Sequence, residues 1–250
     1  MEKLIIYLVF AAGLIFGSFL NACIYRLPNN IKISKGFSVC PSCKKRLYWY
    51  ELIPVLSYII QGGKCRGCKQ HISIRYPMVE LLNAMLYTAA YLKFGLSGVA
   101  VAAFVFISAL ICVIFIDFEH MIIPDSLNIA IALAGFAATV LSSQPKLTHI
   151  WGIFIISVPL LLIAVISRGG AMGGGDIKLM AAAGFYLGWQ PVLVGTFFAL
   201  LSGGAFGIYK IISEKEKSQR IMPFGPFLAG GAIIALFFGS EIFNWYVGLL

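Results

Sequence analysis

The chain has 250 residues, of which 60% are hydrophobic and only 12% charged, and its mean hydropathy is +0.92. Soluble domains carry about a quarter charged residues, so this balance excludes a soluble enzyme and describes an all-α polytopic membrane protein. The net charge of +9 is accounted for by membrane topology and calls for no nucleic-acid partner.

A helix needs about 20 apolar residues to cross the hydrocarbon. Such runs recur at 4–25, 78–96, 98–117, 127–142, 149–167, 179–190, 191–209 and 224–248. They predict about eight transmembrane helices, the sixth of them short and parted from the seventh near Trp189-Gln190-Pro191. Of the 19 Lys and Arg residues, ten lie between Arg26 and Arg75, and six more are Arg168, Lys178, Lys210, Lys215, Lys217 and Arg220. Eight crossings put all of these on one side, which the positive-inside rule makes cytoplasmic. The N-terminus, Lys3, Lys93 and Lys146 then lie outside. The first run also has the outline of a signal peptide, and Leu20-Asn21-Ala22-Cys23 resembles a lipoprotein cleavage site. Cleavage there would export the basic loop against the charge bias, so the run is read as a retained span.

Three regions follow: a first transmembrane helix over 1–25, a cytoplasmic domain over 26–77, and a transmembrane region over 78–250. The polar segment from Arg26 to Pro77 is too long for a simple connection. Two shorter breaks come at Arg168–Lys178, which is rich in glycine, and at Lys210–Arg220, where Ser213-Glu214-Lys215-Glu216-Lys217-Ser218 reads as a solvated linker or helix extension. No internal repeat is evident.

Cys40-Pro41-Ser42-Cys43 and Cys65-Arg66-Gly67-Cys68 are two C-x2-C knuckles 21 residues apart, a spacing that lets four thiolates close on one tetrahedral ion. Lys44, Lys45, Lys64 and Arg66 stand beside them, and positive charge favours the thiolate form that a metal needs. Zinc is the expected ion. Two disulfides are the alternative, which a reducing cytoplasm opposes. Four thiolates leave no open coordination position, so the site is read as structural. Cys23 and Cys112 lie within apolar runs and are read as packing residues.

Asp117 and Asp176 both stand where an apolar run meets the cytoplasmic surface, and a carboxylate there marks a functional site. Asp117 ends a continuous apolar run; snorkelling, or an ion pair with Lys178 or Arg168, is the competing explanation. Asp176 follows Gly173-Gly174-Gly175, glycines that admit close approach and positive φ, and a capped helix start explains it equally well. Asp125, after Pro124, is read as a helix N-cap, and Glu119 and His120 as solvated loop residues. If Asp117 and Asp176 face each other they cannot both ionise easily, so one acid and one carboxylate coexist, the arrangement of aspartic proteases. Membrane-boundary acids with helix-breaking glycines would also suit a proton- or cation-coupled transporter, although acids at a single face disfavour alternating access.

Taken together, these residues resemble the bacterial type IV prepilin leader peptidases, polytopic aspartyl proteases of the G-x-G-D type. The likeness rests on Gly17-Ser18-Phe19-Leu20-Asn21 with Arg26-Leu27-Pro28, on the paired knuckles, and on the blocks Tyr50 to Tyr58 and Ile72 to Glu80. Asp117 seven residues before Pro124, Gly173-Gly174-Gly175-Asp176 and Pro223-Phe224-Gly225-Pro226 complete it. The resemblance implies that Asp117 and Asp176 are catalytic, with Gly173 and Gly175 supporting the loop, and that 78–250 is an aspartyl peptidase region. It further implies cleavage of the basic leader of type IV prepilins or type II secretion pseudopilins at the cytoplasmic face of the bacterial inner membrane, followed by N-methylation with S-adenosylmethionine. No dinucleotide-type glycine motif marks a methyl-donor site; Glu80, an acid entering the second span, is a candidate contributor and an equally good partner for Arg75.

Overall fold

The structure is a computed structural model, and it describes residues 2–33, 36–142, 145–170, 172–213 and 222–249. The stretch Glu214 to Ser218, read from sequence as linker, lies outside the described residues. The chain forms two compact units, Met1–Leu96 and Ser97–Leu250.

In the first unit, α1 (Glu2–Arg26) runs antiparallel to α3 (Arg75–Phe94), and between them lie a 3-10 turn (Trp49–Leu52) and the short α2 (Leu56–Ile60). Small residues decide the pairing of the long helices. A Cβ placed on Gly13 would stand 2.6 Å from the Ala84 Cα, and one on Gly17 would stand 2.6 Å from the Glu80 Cα, so the two backbones touch. Asn83 then donates to the Gly13 carbonyl (2.7 Å) and Asn21 to that of Tyr76 (3.0 Å), hydrogen bonds sheltered from water. By this packing the second predicted span lies in the same compact unit as α1.

The second unit contains α4 (Gly98–His120), α5 (Asp125–Leu141), α6 (Lys146–Ile166), α7 (Gly174–Leu187), α8 (Trp189–Ser213) and α9 (Gly225–Val247). Its core is α4, whose Phe106, Ile107, Leu110, Ile111, Val113 and Ile116 are fully buried. Around it α5 packs on α4 and α7, α6 on α7 and α8, and α9 on α4, α7 and α8. Gly152 of α6 meets Gly184 of α7 backbone to backbone, and Gly195 of α8 meets Gly231 of α9 in the same way.

Among the described residues, eight long helices stand where the eight apolar runs lie. Five of them, α1, α4, α6, α8 and α9, are long and apolar enough to cross a membrane, which makes the chain a multi-pass membrane protein. The α7–α8 boundary falls at Gly188 and not after Gln190: Gly188 has φ +84°, a conformation that glycine adopts without strain, and Pro191 sits in the first turn of α8, where its missing N–H is harmless.

Candidate active site and metal-binding cluster

The two knuckles are backbone copies of each other. In the first, the Lys44 amide donates to Cys40 and the Cys40 amide to Lys45; in the second, Lys69 donates to Cys65 and Cys65 to Gln70, all at 2.9 Å. An isolated β-bridge closes each one, Val39 with Arg46 and Lys64 with His71. Lys44 (φ +58°) and Lys69 (φ +62°) both turn left-handed directly after the second cysteine. The sequence shows the C-x2-C repeat but not this wider duplication, because the flanking side chains differ. A ligand atom from each of Cys40, Cys43, Cys65 and Cys68 lies within 4.8 Å of the others, and the sulfurs of Cys40 and Cys68 are 4.0 Å apart. A tetrahedron with Zn–S bonds near 2.3 Å needs sulfur separations of roughly 3.8 Å, so the group fits a zinc-sized ion. A Cβ on Gly67 would lie 3.6 Å from the Cys43 sulfur and 3.1 Å from the Lys45 chain, which is why this turn carries glycine. The thiols pull apart electrostatically. The Cys43 amide leads in drawing Cys40 down to about 6, whereas Cys68, although the Gln70 amide lowers it, is pushed up to about 11 by desolvation and by the neighbouring thiols. Four crowded sulfurs of this kind call for a cation.

In the second unit, three helix ends build the aspartate site. Asp117 sits one turn inside the end of α4 and is 5% exposed. The helix continues to His120, so Glu119 and His120 belong to its last turn and not to a loop; it stops at Met121, whose left-handed backbone (φ 54°) lets its amide bond the Asp117 carbonyl. The Asp117 carboxylate accepts the Gly225 amide at the start of α9 (2.9 Å). Gly225 has to be glycine: a Cβ there would stand 2.6 Å from that oxygen.

Asp176 is the third residue of α7. Gly173 caps the helix, and its amide donates to the Asp176 carboxylate, the backward half of a capping box. None of Gly173, Gly174 and Gly175 has positive φ, so close approach, and not an unusual backbone, explains Gly173 and Gly175. A Cβ on Gly175 would press on the Ile123 side chain at 3.1 Å, while one on Gly174 would meet nothing. Ile123 also reaches Gly225, and so wedges the α4–α5 connection between α7 and α9. Asp176 precedes the apolar stretch that begins at Leu179, and its pKa is pushed up to about 6, first by burial and then by the charge of Asp117. The two acids thus sense each other, although 59 positions separate them in the chain.

Two competing explanations fail. Lys178 pairs with Asp125 at 2.8 Å and not with Asp117. Asp125 is no N-cap either: Pro124 holds that position, and Asp125 opens the first turn of α5 facing Lys178. Sequence reasoning missed the role of the Gly225 amide, because a backbone donor leaves no side-chain signature.

Glu80, in the first unit, is 7% exposed, and its carboxylate accepts the Val55 amide (2.8 Å) and a hydrogen bond from Ser18. Val55 has φ 61°, and the Leu56 amide bonds the Pro54 carbonyl across it, a γ-turn with its centre in a conformation that a β-branched residue strongly resists.

Residues 11–94 match the Bacterial Peptidase A24 N-terminal domain, and residues 104–208 match the Type IV leader peptidase family. The chain is 37% identical to a Prepilin leader peptidase/N-methyltransferase of Bacillus subtilis, over 96% of this chain and 97% of that protein. Proteins of the same name from Legionella pneumophila (34%, covering 94% and 92%) and Aeromonas salmonicida (31%, covering 97% and 94%) are similar over comparable lengths. No solved structure matches the chain.

Proposed function

We propose, from the premise that this chain belongs to the type IV leader peptidase family, that it removes the leader of a prepilin or pseudopilin with Asp117 and Asp176 as its catalytic pair and then methylates the amine so formed. The observation that carries the reading is that Asp117, anchored by the Gly225 amide, lies close enough for its charge to raise the pKa of Asp176. Two acids so placed share a proton. The ionised one takes a proton from water as the water oxygen attacks the scissile carbonyl; the protonated one donates to the carbonyl oxygen. Collapse of the resulting diol breaks the C–N bond, and the proton taken from water passes to the leaving amine. Family membership gives the transporter alternative no support.

In the same reading the protein sits in the bacterial inner membrane with its N-terminus outside and its active site toward the cytoplasm, and α3, α5 and α7 bring the membrane-crossing helices to eight, with α7 entering the lipid at Leu179. Gly173 and Gly175 support the site, one through its amide and the other by admitting Ile123. Cys40, Cys43, Cys65 and Cys68 hold a structural zinc. The methyl donor is S-adenosylmethionine, which supplies an electrophilic methyl group to the new amine. Glu80, by fixing the strained turn at Val55, shapes the donor site.

The test uses purified protein and a prepilin. Asp117→Asn and Asp176→Asn should each cut cleavage by about a thousandfold or more while the protein stays folded and zinc-loaded. Cleavage at the parental rate in both variants ends the reading.

A further inference from the structure

Asn128 combines deep burial with unmet hydrogen-bonding capacity. It is 7% exposed, yet neither its Oδ1 nor its Nδ2 has a hydrogen-bond partner. A carboxamide buried in that way is unfavourable, and Leu would fill the place without the penalty, so its presence needs a reason outside the fold.

Its position supplies one. Asp125 meets Lys178, and ten residues on Gly135 packs against Phe185 and Tyr186, so α5 and α7 run parallel. Asn128 precedes Gly135 by seven residues, about two turns, and therefore shares the face turned toward α7. The same step back along α7 from Phe185 and Tyr186 reaches Lys178 and Leu179. Asn128 is thus only two or three residues deeper than Asp176, roughly 3 to 5 Å along the axis. Its helix also packs on α4, which carries Asp117.

A carboxamide presents a donor and an acceptor side by side. Both are unmet here, so the fitting ligand offers an acceptor and a donor with the same spacing. One residue of an extended polypeptide does so, its N–H and C=O lying on the same edge. A peptide must be extended at the bond to be hydrolysed, because within a helix that carbonyl is already engaged.

We propose that Asn128 binds the substrate backbone beside the scissile bond, its Nδ2 donating to the carbonyl and its Oδ1 accepting from the amide of one extended residue. The inference rests on the peptidase reading above and deepens it. It assigns Asn128 to substrate binding and leaves the proton chemistry to the aspartates.

Asn128→Leu should leave the thermal midpoint unchanged or raised, because it removes two unmet polar atoms, while kcat/KM for prepilin falls roughly ten- to a hundredfold. Asn128→Gln should recover part of the loss. The sharper readout uses prepilin peptides with single N-methyl groups at the residues flanking the junction. At one position methylation should impair cleavage by the parent yet add nothing in Asn128→Leu, the non-additivity of a shared contact. A variant that cleaves like the parent, one whose midpoint falls along with its activity, or methylation effects that are equal in both proteins would each overturn the proposal. Asp117→Asn, run in parallel, separates the two levels: if it too cleaves normally, the peptidase reading has failed, and if it alone is dead, only the role of Asn128 has.

Discussion

The cysteine cluster and the aspartate site are built in opposite ways. Each knuckle closes on itself through backbone bonds spanning no more than nine positions, and two such closed turns need only meet. The aspartate site has no local closure: the end of α4 and the starts of α7 and α9 come together only through the packing of the second unit. A locally closed site concentrates its free energy in its ligands. A site assembled from distant segments depends on contacts that carry no chemistry, above all Gly225 and Gly175.

The strongest test of this contrast is Gly225→Ala. It places a methyl group 2.6 Å from the Asp117 carboxylate, so cleavage should fall about a hundredfold although no acid has been touched, and zinc content should stay at the parental level. If activity survives, the site does not rely on that approach. Cys40→Ser should do the reverse: zinc is lost and the thermal midpoint drops, on the order of 5 to 10 °C for a loss of two or three kcal/mol, while the aspartates of the remaining folded protein still cleave. A catalytic defect without loss of zinc or stability would break the comparison.

A finer measurement concerns charge. Asp176 titrates at about 6 because burial and then Asp117 oppose its ionisation. The folded protein therefore holds that proton more tightly than the unfolded chain does, so the group contributes stability below its ordinary 3.8, and this contribution is lost as pH rises through about 6. Asp117→Asn removes one of the two causes. Carboxyl-carbon NMR should then find the Asp176 pKa lower than in the parent, and an unchanged value would mean that the two acids do not communicate. Glu119→Gln, next to the site on α4, should weaken processing by only about two- to threefold, if Glu119 contacts the cleavage junction; equal rates across substrates would remove it from that role. At the small end, Gly174→Ala should change nothing measurable, because a Cβ there meets open space at negative φ.

The same contrast explains what was legible in the sequence. The knuckles are readable because their ligands and turns are contiguous, and the long helices because apolar length is a local property. Asp117 and Asp176 are visible as acids at the ends of apolar runs, but their neighbours are not: nothing near Asp117 announces a donor 108 positions away. The grouping of α3 with α1 was hidden for a similar reason, since Gly13 and Gly17 acquire meaning only against Ala84 and Glu80. Asp125 misled because Pro124-Asp125-Ser126 reads locally as a capped start, whereas Lys178, 53 positions on, determines where that side chain goes.

That α7 and α9 both start beside the aspartates has an electrostatic consequence. Two helices, α7 and α9, begin at the site while α4 ends there, so two N-terminal poles, each equivalent to roughly half a positive charge, face one negative pole. Their combined field favours negative charge in the region where a scissile carbonyl oxygen would gain it, and it is fixed in place before substrate arrives. A pair of acids alone would repel that developing charge. Set between the starts of α7 and α9, the same pair works where the net helix field has the opposite sign.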